Sequence, residues 1–172
     1  MRGLAKAALA LGALVAASSP ALAAPVSAPV PPQGRALLLI PLTLTKVQDL
    51  SFGTIVPSTT TAGFVSINAV TGARTGSAGL TLMPVDVGRR AEFAGAGTPN
   101  QQVIMALTPP AELTNLAGDT IPVLAMNLDG PTTRTIGANR SFFVGVGGVI
   151  FIAANQPEGL YSADYDLTAD YQ

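Results

Sequence analysis

Any bond chemistry in this chain would have to come from carboxylates, hydroxyls and lysine, because its 172 residues include no histidine and no cysteine. Ser–His–Asp and Cys–His nucleophiles are therefore excluded, as is ordinary zinc ligation. Apart from Lys6, the chain's one lysine is Lys46, and no Ser-x-x-Lys spacing exists to make it the base of a dyad. A glycosidase-type carboxylate pair would be drawn from Glu92, Glu112 and Glu158, yet these read as isolated acids at turns and strand ends. Asp164, Asp166 and Asp170 fall on one face of an alternating segment, without the loop geometry of a calcium site. A solvated face that discourages edge aggregation accounts for them. Gly145-x-Gly147-Gly148 runs into strand-like residues rather than opening a helix, so it is not a dinucleotide loop. Arg89-Arg90 reads as a turn, and Asn139-Arg140-Ser141 is a sequon in a chain whose leader looks bacterial. The expectation is a non-catalytic protein with no cofactor and no metal.

The elements that would position these side chains are strands. Within residues 159–171, positions 161–171 alternate without a slip: Tyr161, Ala163, Tyr165, Leu167, Ala169 and Tyr171 on one face, hydroxyls and aspartates on the other. A period of two marks a strand with one buried and one wet face. Its free edge must be paired, covered or used. No window of a dozen residues shows helical spacing, and 18 glycines and 14 prolines are scattered through the chain, which reads as many short strands joined by tight turns.

Residues 1–23 have the form of a secretory leader: Arg2 and Lys6, a short apolar run, then Ala21-Leu22-Ala23 as a small-x-small cleavage site. It is too short for a membrane span. An exported product is expected, in the periplasm, at the cell surface or outside the cell. Of the nine basic residues, two leave with the leader, and the rest face ten acidic ones, which argues against a nucleic-acid partner. Residues 24–35 form a Pro-rich linker, and residues 36–172 are expected to make one domain around one core. With 48% hydrophobic and 11% charged residues, that domain is too apolar to be disordered.

Strands are predicted at residues 36–45, 50–56, 64–70, 79–83, 91–95, 102–107, 121–128, 142–153 and 159–171. Pro41 makes the first of these an edge or inserted strand rather than a central one, since it cannot donate to a ladder. Residues 142–153 (FFVGVGGVIFIA) are apolar on both faces, which suits a central strand. Phe52, Ile55, Phe93, Ile104, Phe151, Tyr161, Tyr165 and Leu167 are expected to be largely buried, as the inward phase of two packed layers.

The segments LTLTKVQDLSFGTIV, RAEFAGAGTPNQQVIMALTP and FFVGVGGVIFIAANQPEGLYSADYDLTADY together resemble the bacterial domain-of-unknown-function family 4402, a family of small exported proteins. The pieces that carry the resemblance are Phe52-Gly53-Thr54-Ile55, Val146-Gly147-Gly148 and Gly159-x-Tyr161. More distantly the pattern is similar to the pilin and spore-coat-U-like subunits of chaperone–usher fibres, from which this chain departs in lacking a cysteine pair. The resemblance implies an immunoglobulin-like, pilin- or adhesin-like β-sandwich that lacks one strand of its own. A neighbouring subunit, or an assembly chaperone before it, would supply that strand. Residues 35–45 would then be the donor, through Leu38, Ile40, Leu42 and Leu44, and residues 159–171 the receiving edge, through Tyr161, Ala163, Tyr165, Leu167 and Tyr171. Each donor side chain would contribute roughly 1.5–3 kcal/mol before ordering costs.

Two other readings stand beside the fibre subunit. Residues 36–45 also fit as the first strand of their own sandwich, giving a self-complete secreted binding module. A closing strand with alternate aromatics also resembles that of an outer-membrane β-barrel, although a content of 5% aromatics and mostly short strands fit such a barrel poorly.

Overall fold

The computed structural model describes residues 25–172; the predicted leader lies outside the described residues. Every regular element among them is a strand. In chain order these are β1 (Thr43–Gln48), β2 (Ile55–Val56), β3 (Gly63–Ile67), β4 (Arg74–Gly76), β5 (Thr81–Leu82) and β6 (Ala91–Ala96). β7 (Gln102–Thr108), β8 (Glu112–Thr114), β9 (Thr120–Leu128), β10 (Thr133–Thr135), β11 (Ser141–Ile152) and β12 (Asp166–Tyr171) follow. All pairing is antiparallel. Residues 25–37, described by themselves, form an extended exposed arm without strand or helix.

β11 is the central strand that its two apolar faces predict. Val146 faces both Ala91 and Leu128, and Gly148 faces both Ile67 and Met126. A strand has only two edges, so β6 and β3 follow one another along one edge of β11 and β9 takes the other. β1 pairs outside β6, β4 outside β3 and β8 outside β9, completing a seven-stranded sheet. The change of partner from β6 to β3 falls at Gly145-Val146-Gly147-Gly148. A Cβ on Gly147 would collide with the Ile67 carbonyl and the Ala69 backbone, and one on Gly145 with the Ala69 carbonyl. The chain leaving β3 crosses β11 there at backbone contact, which only glycine permits.

A second layer packs against this sheet: the three-stranded sheet β10-β7-β12 and the separate pair β2–β5. Under the three-stranded sheet lies one core of Ala91, Val103, Met105, Ile136, Phe142, Val144 and Val146. Phe142 covers the space where Gly95, its cross-strand partner, has no side chain. Under β2–β5 lies a second core, Val65, Ile121, Ile150 and Ile152, with Leu80 and Leu82 packed on it. The described strands do not close on themselves, since β1, β4, β10 and β12 each pair on one edge only. The barrel architecture is therefore not what they form, and none of the described residues makes a helix long and apolar enough to cross a membrane.

Several expectations are corrected. Residues 36–45 are not one strand: β1 begins at Thr43, after Pro41, whose ring removes the N–H a ladder would need. Leu38 is 86% exposed and Ile40 is 42% exposed. Residues 159–171 are not one strand either, because β7 pairs with β12 only as far as Thr108 opposite Asp166. Pro109 and Pro110 come next and offer no donors, so the ladder stops. β7 is apolar at five consecutive positions, so its period leaves the phase open; Val103 and Met105 are buried, and Ile104 is 44% exposed. Phe52, Ile55, Phe93, Phe151, Tyr161, Tyr165 and Leu167 are only partly buried. The three-residue strands β4, β8 and β10 escape a pattern reading because each has too few residues to show a period.

Candidate functional site

The second core is not fully covered. Between residues 50–57 and residues 156–165 the second layer is interrupted by a cavity of about 880 Å³. Its floor is apolar: Leu113 of β8, Ile121, Val123 and Met126 of β9, and Ile150 and Ile152 of β11.

One wall is the Phe52-Gly53-Thr54-Ile55 segment, held from several sides. Ser51 and Arg89 exchange backbone hydrogen bonds of 2.9 and 2.8 Å. The Ser51 hydroxyl accepts from the Gly53 N–H at 3.1 Å, and Gly53 takes a left-handed φ of 71° that favours glycine. The Arg74 guanidinium donates to the carbonyls of Phe52 (3.1 Å), Thr54 (3.2 Å) and Met83 (2.7 Å). The Thr54 hydroxyl donates to Asp86 at 3.1 Å. Arg74 was not singled out from sequence, and no local signal there ties it to a loop twenty residues earlier.

The other wall is residues 156–165. Gln156 Nε2 donates to the Thr120 carbonyl (3.0 Å) and the Tyr161 hydroxyl (3.1 Å), which in turn donates to the Pro157 carbonyl (2.7 Å). Gly159 lies against Asn115, a buried amide satisfied by Asp119. From Gly159 to Tyr165 only Ser162 is tied by backbone hydrogen bonds, to Thr114.

Tyr165 closes one end of the groove. Its ring meets Phe93 edge-on, with centroids 6.3 Å apart. Its hydroxyl is enclosed and has no hydrogen-bond partner among the described residues. Desolvation, with the Asp49 charge adding to it, pushes that hydroxyl up to about 12. Lys46 and Asp49 form an exposed pair at 2.6 Å on the same rim. The ammonium is held above its ordinary pKa by that hydrogen bond first, and also by the charges of Asp49 and Asp164. Asp86 and Glu158 add two more acids, so the lining carries four carboxylates against one lysine. The arrangement offers apolar burial and an acidic rim.

The structure divides the residues predicted as a donor strand. Leu42 and Leu44 pack into the first core of their own chain, and β1 pairs with β6 of that same chain. Ile40 is held outside the core, its N–H donating to Thr98 Oγ1 at 2.7 Å and its carbonyl accepting from the Tyr171 hydroxyl at 2.6 Å. Of the predicted receiving residues, Leu167 and Tyr171 lie on β12 over the first core, while Tyr161, Ala163 and Tyr165 line the groove. Ala163 is exposed and Asp164, Asp166 and Asp170 face solvent. Arg90, part of the predicted turn, is ion-paired to Glu92 at 2.8 Å and donates to the Ala69 carbonyl. Asn139 caps a tight turn, accepting from the Ser141 N–H at 3.3 Å.

No curated protein and no solved structure matches this chain. The three segments that carried the resemblance serve as the wall loop, the crossover of β11 and the opening of the second wall. The model of the family described as a domain of unknown function, DUF4402, matches residues 42–171, and the chain belongs to that family.

Proposed function

We propose that this is an exported, non-catalytic structural or adhesion protein whose groove accepts an extended strand from a like subunit. An assembly chaperone would fill the groove before it, in the manner of the pilin-like subunits its sequence resembles. The observation that carries this reading is an interrupted second layer over an apolar floor, in a chain whose own apolar residues Leu37, Leu38 and Ile40 stand exposed. An unfilled strand position beside a free edge is what β-strand addition uses. The leader-like residues 1–23, the balance of charge and the lack of histidine and cysteine fit an exported binding role better than a catalytic one.

One observation favours the self-complete binding module instead: β1, half of the predicted donor, is paired within its own sheet. The donor in this proposal is therefore the arm ahead of β1, residues 25–41, rather than residues 35–45 as a whole. Removing that arm leaves Leu42, Leu44 and β1 in place and is expected to abolish self-association measured by analytical ultracentrifugation. A protein that stays monomeric at every concentration, with and without the arm, overturns the subunit reading and leaves the module.

A further inference from the structure

We propose that the Tyr171 hydroxyl is the catch of a releasable strap. While it bridges Thr98 and Ile40, residues 40–42 lie closed at the margin of the first core. When it lets go, the chain ahead of Thr43 swings free and uncovers the edges of β1 and β12. The strap sits at the end of β1 away from Lys46 and the groove, and it works whatever the groove receives.

The catch follows from a broken ladder. The register of β1 on β6 runs out with Thr43 opposite Ala96, and two residues further it would set Pro41 opposite Thr98. The Gly97 N–H is turned to the other neighbouring strand, donating to the Arg140 carbonyl at 3.0 Å, so the Thr98 N–H points toward β1. Pro41 has no N–H to give in return, and the backbone ladder stops. Side chains take over from it. The Thr98 N–H donates to the Tyr171 hydroxyl (2.7 Å), which donates its own proton to the Ile40 carbonyl (2.6 Å). The Ile40 N–H donates in turn to Thr98 Oγ1 (2.7 Å), which closes a ring through three separate stretches of chain. Gly97 makes room for it, since a Cβ there would collide with the Tyr171 hydroxyl, Ile136 and Leu42.

Position makes the ring releasable. β1 and β12 are edge strands of the two layers, and Leu42, Leu44, Leu167 and Tyr171 pack on the same core from them. The Tyr171 backbone is fixed in β12 opposite Val103, so the strap and not the tyrosine is the moving part. Ile40 is half-exposed, and Leu38 ahead of it stands in solvent. A segment with exposed hydrogen bonds and few buried contacts opens at a much lower free energy than a core strand. Each of the three residues in the ring gives one bond and takes one, so losing a single bond unseats the other two. Opening frees Leu42 from the core margin and presents two strand edges that the closed strap accompanies.

The test follows amide exchange residue by residue by NMR on the full chain, with thermolysin cleavage as a second readout. In the wild-type protein the Ile40 and Thr98 amides are protected and exchange together, faster than those of β7 and β11. Tyr171→Phe keeps the ring on the core and removes only the hydroxyl. It is expected to speed exchange at Ile40 roughly tenfold, although the acceptor of that amide, Thr98 Oγ1, is untouched. Exchange in β11 stays as in the wild type, and thermolysin gains a cut ahead of Ile40 or Leu42. Gly97→Ala, which crowds the hydroxyl out, should give the same pattern. Three results overturn the strap. Ile40 exchanging in the wild type like an unstructured amide would mean that no catch is closed. Faster exchange at Thr98 alone would mean that the bonds act separately. Equal acceleration at Ile40 and in β11 would make the hydroxyl a contributor to global stability and nothing more.

Discussion

The two halves of the interior share one strand and are finished differently. Phe142, Val144 and Val146, from the first half of β11, meet Val103 and Met105 of β7 under a continuous three-stranded sheet. Ile150 and Ile152, from its second half, meet the two-residue strands β2 and β5 and a length of chain with few backbone partners. The floor is as apolar in one half as in the other; the roof is not. The boundary falls at Pro109-Pro110, where β7 runs out of donors and β12 loses its partner. A sandwich layer extends only as far as its neighbour can offer N–H groups, however well the side chains alternate.

The largest expected break in this contrast is Gly147→Ala. Both halves depend on the crossing of residues 67–69 over β11, and the added methyl would enter that backbone. Loss of the cooperative unfolding transition in denaturant is expected, and wild-type stability would show that the crossing is loose. Next come two methionines of the first core, one enclosed and one bordering the groove. Met105 is 2% exposed in the closed core, so Met105→Ala should cost about 2–5 kcal/mol. Met126 borders the groove and is already partly solvated, so Met126→Ala should cost about 1 kcal/mol or less. Equal losses in a urea series would mean that the groove border is packed as closely as the enclosed core.

The smallest effect is one of pH. Tyr165 holds its proton more tightly in the fold than in the unfolded chain, where a tyrosine titrates near 10. Between about pH 10 and pH 12 the unfolded chain has released this proton and the folded chain has not. Stability contributed by the neutral hydroxyl is thus whole below pH 10 and falls as pH rises across that window. A phenolate absorbance component appearing near pH 12, and missing in Tyr165→Phe, is the expected signature. A component titrating near 10 would place this hydroxyl in water.

Much of this was legible residue by residue. Long alternation marked β12 and its wet aspartate face. Two apolar faces marked β11 as central, and Pro41 marked its segment as edge or inserted rather than central. Less legible were features that depend on a distant partner. The apolar run of β7 has no preferred phase, and only packing against β11 decides that Val103 faces inward and Ile104 outward. Arg74 reaches three carbonyls around Gly53 from another hairpin, and nothing in its local sequence announces this. Tyr165 looked like one more inward aromatic in a strand. Its special place follows from prolines that terminate a different strand.

By itself, then, the sequence determined the all-β class, the short-strand architecture and the lack of nucleophile–base pairs built on histidine or cysteine. These follow from side-chain type and from a period of two, which are local properties. Only the tertiary structure decided that β1 pairs within its own chain, that the second half of the core stays partly unroofed and that the Tyr165 hydroxyl is enclosed without a partner among the described residues. The reason is physical: alternation tells each strand which face to bury, but hydrogen-bond partners are allotted only when all the strands compete for the same edges.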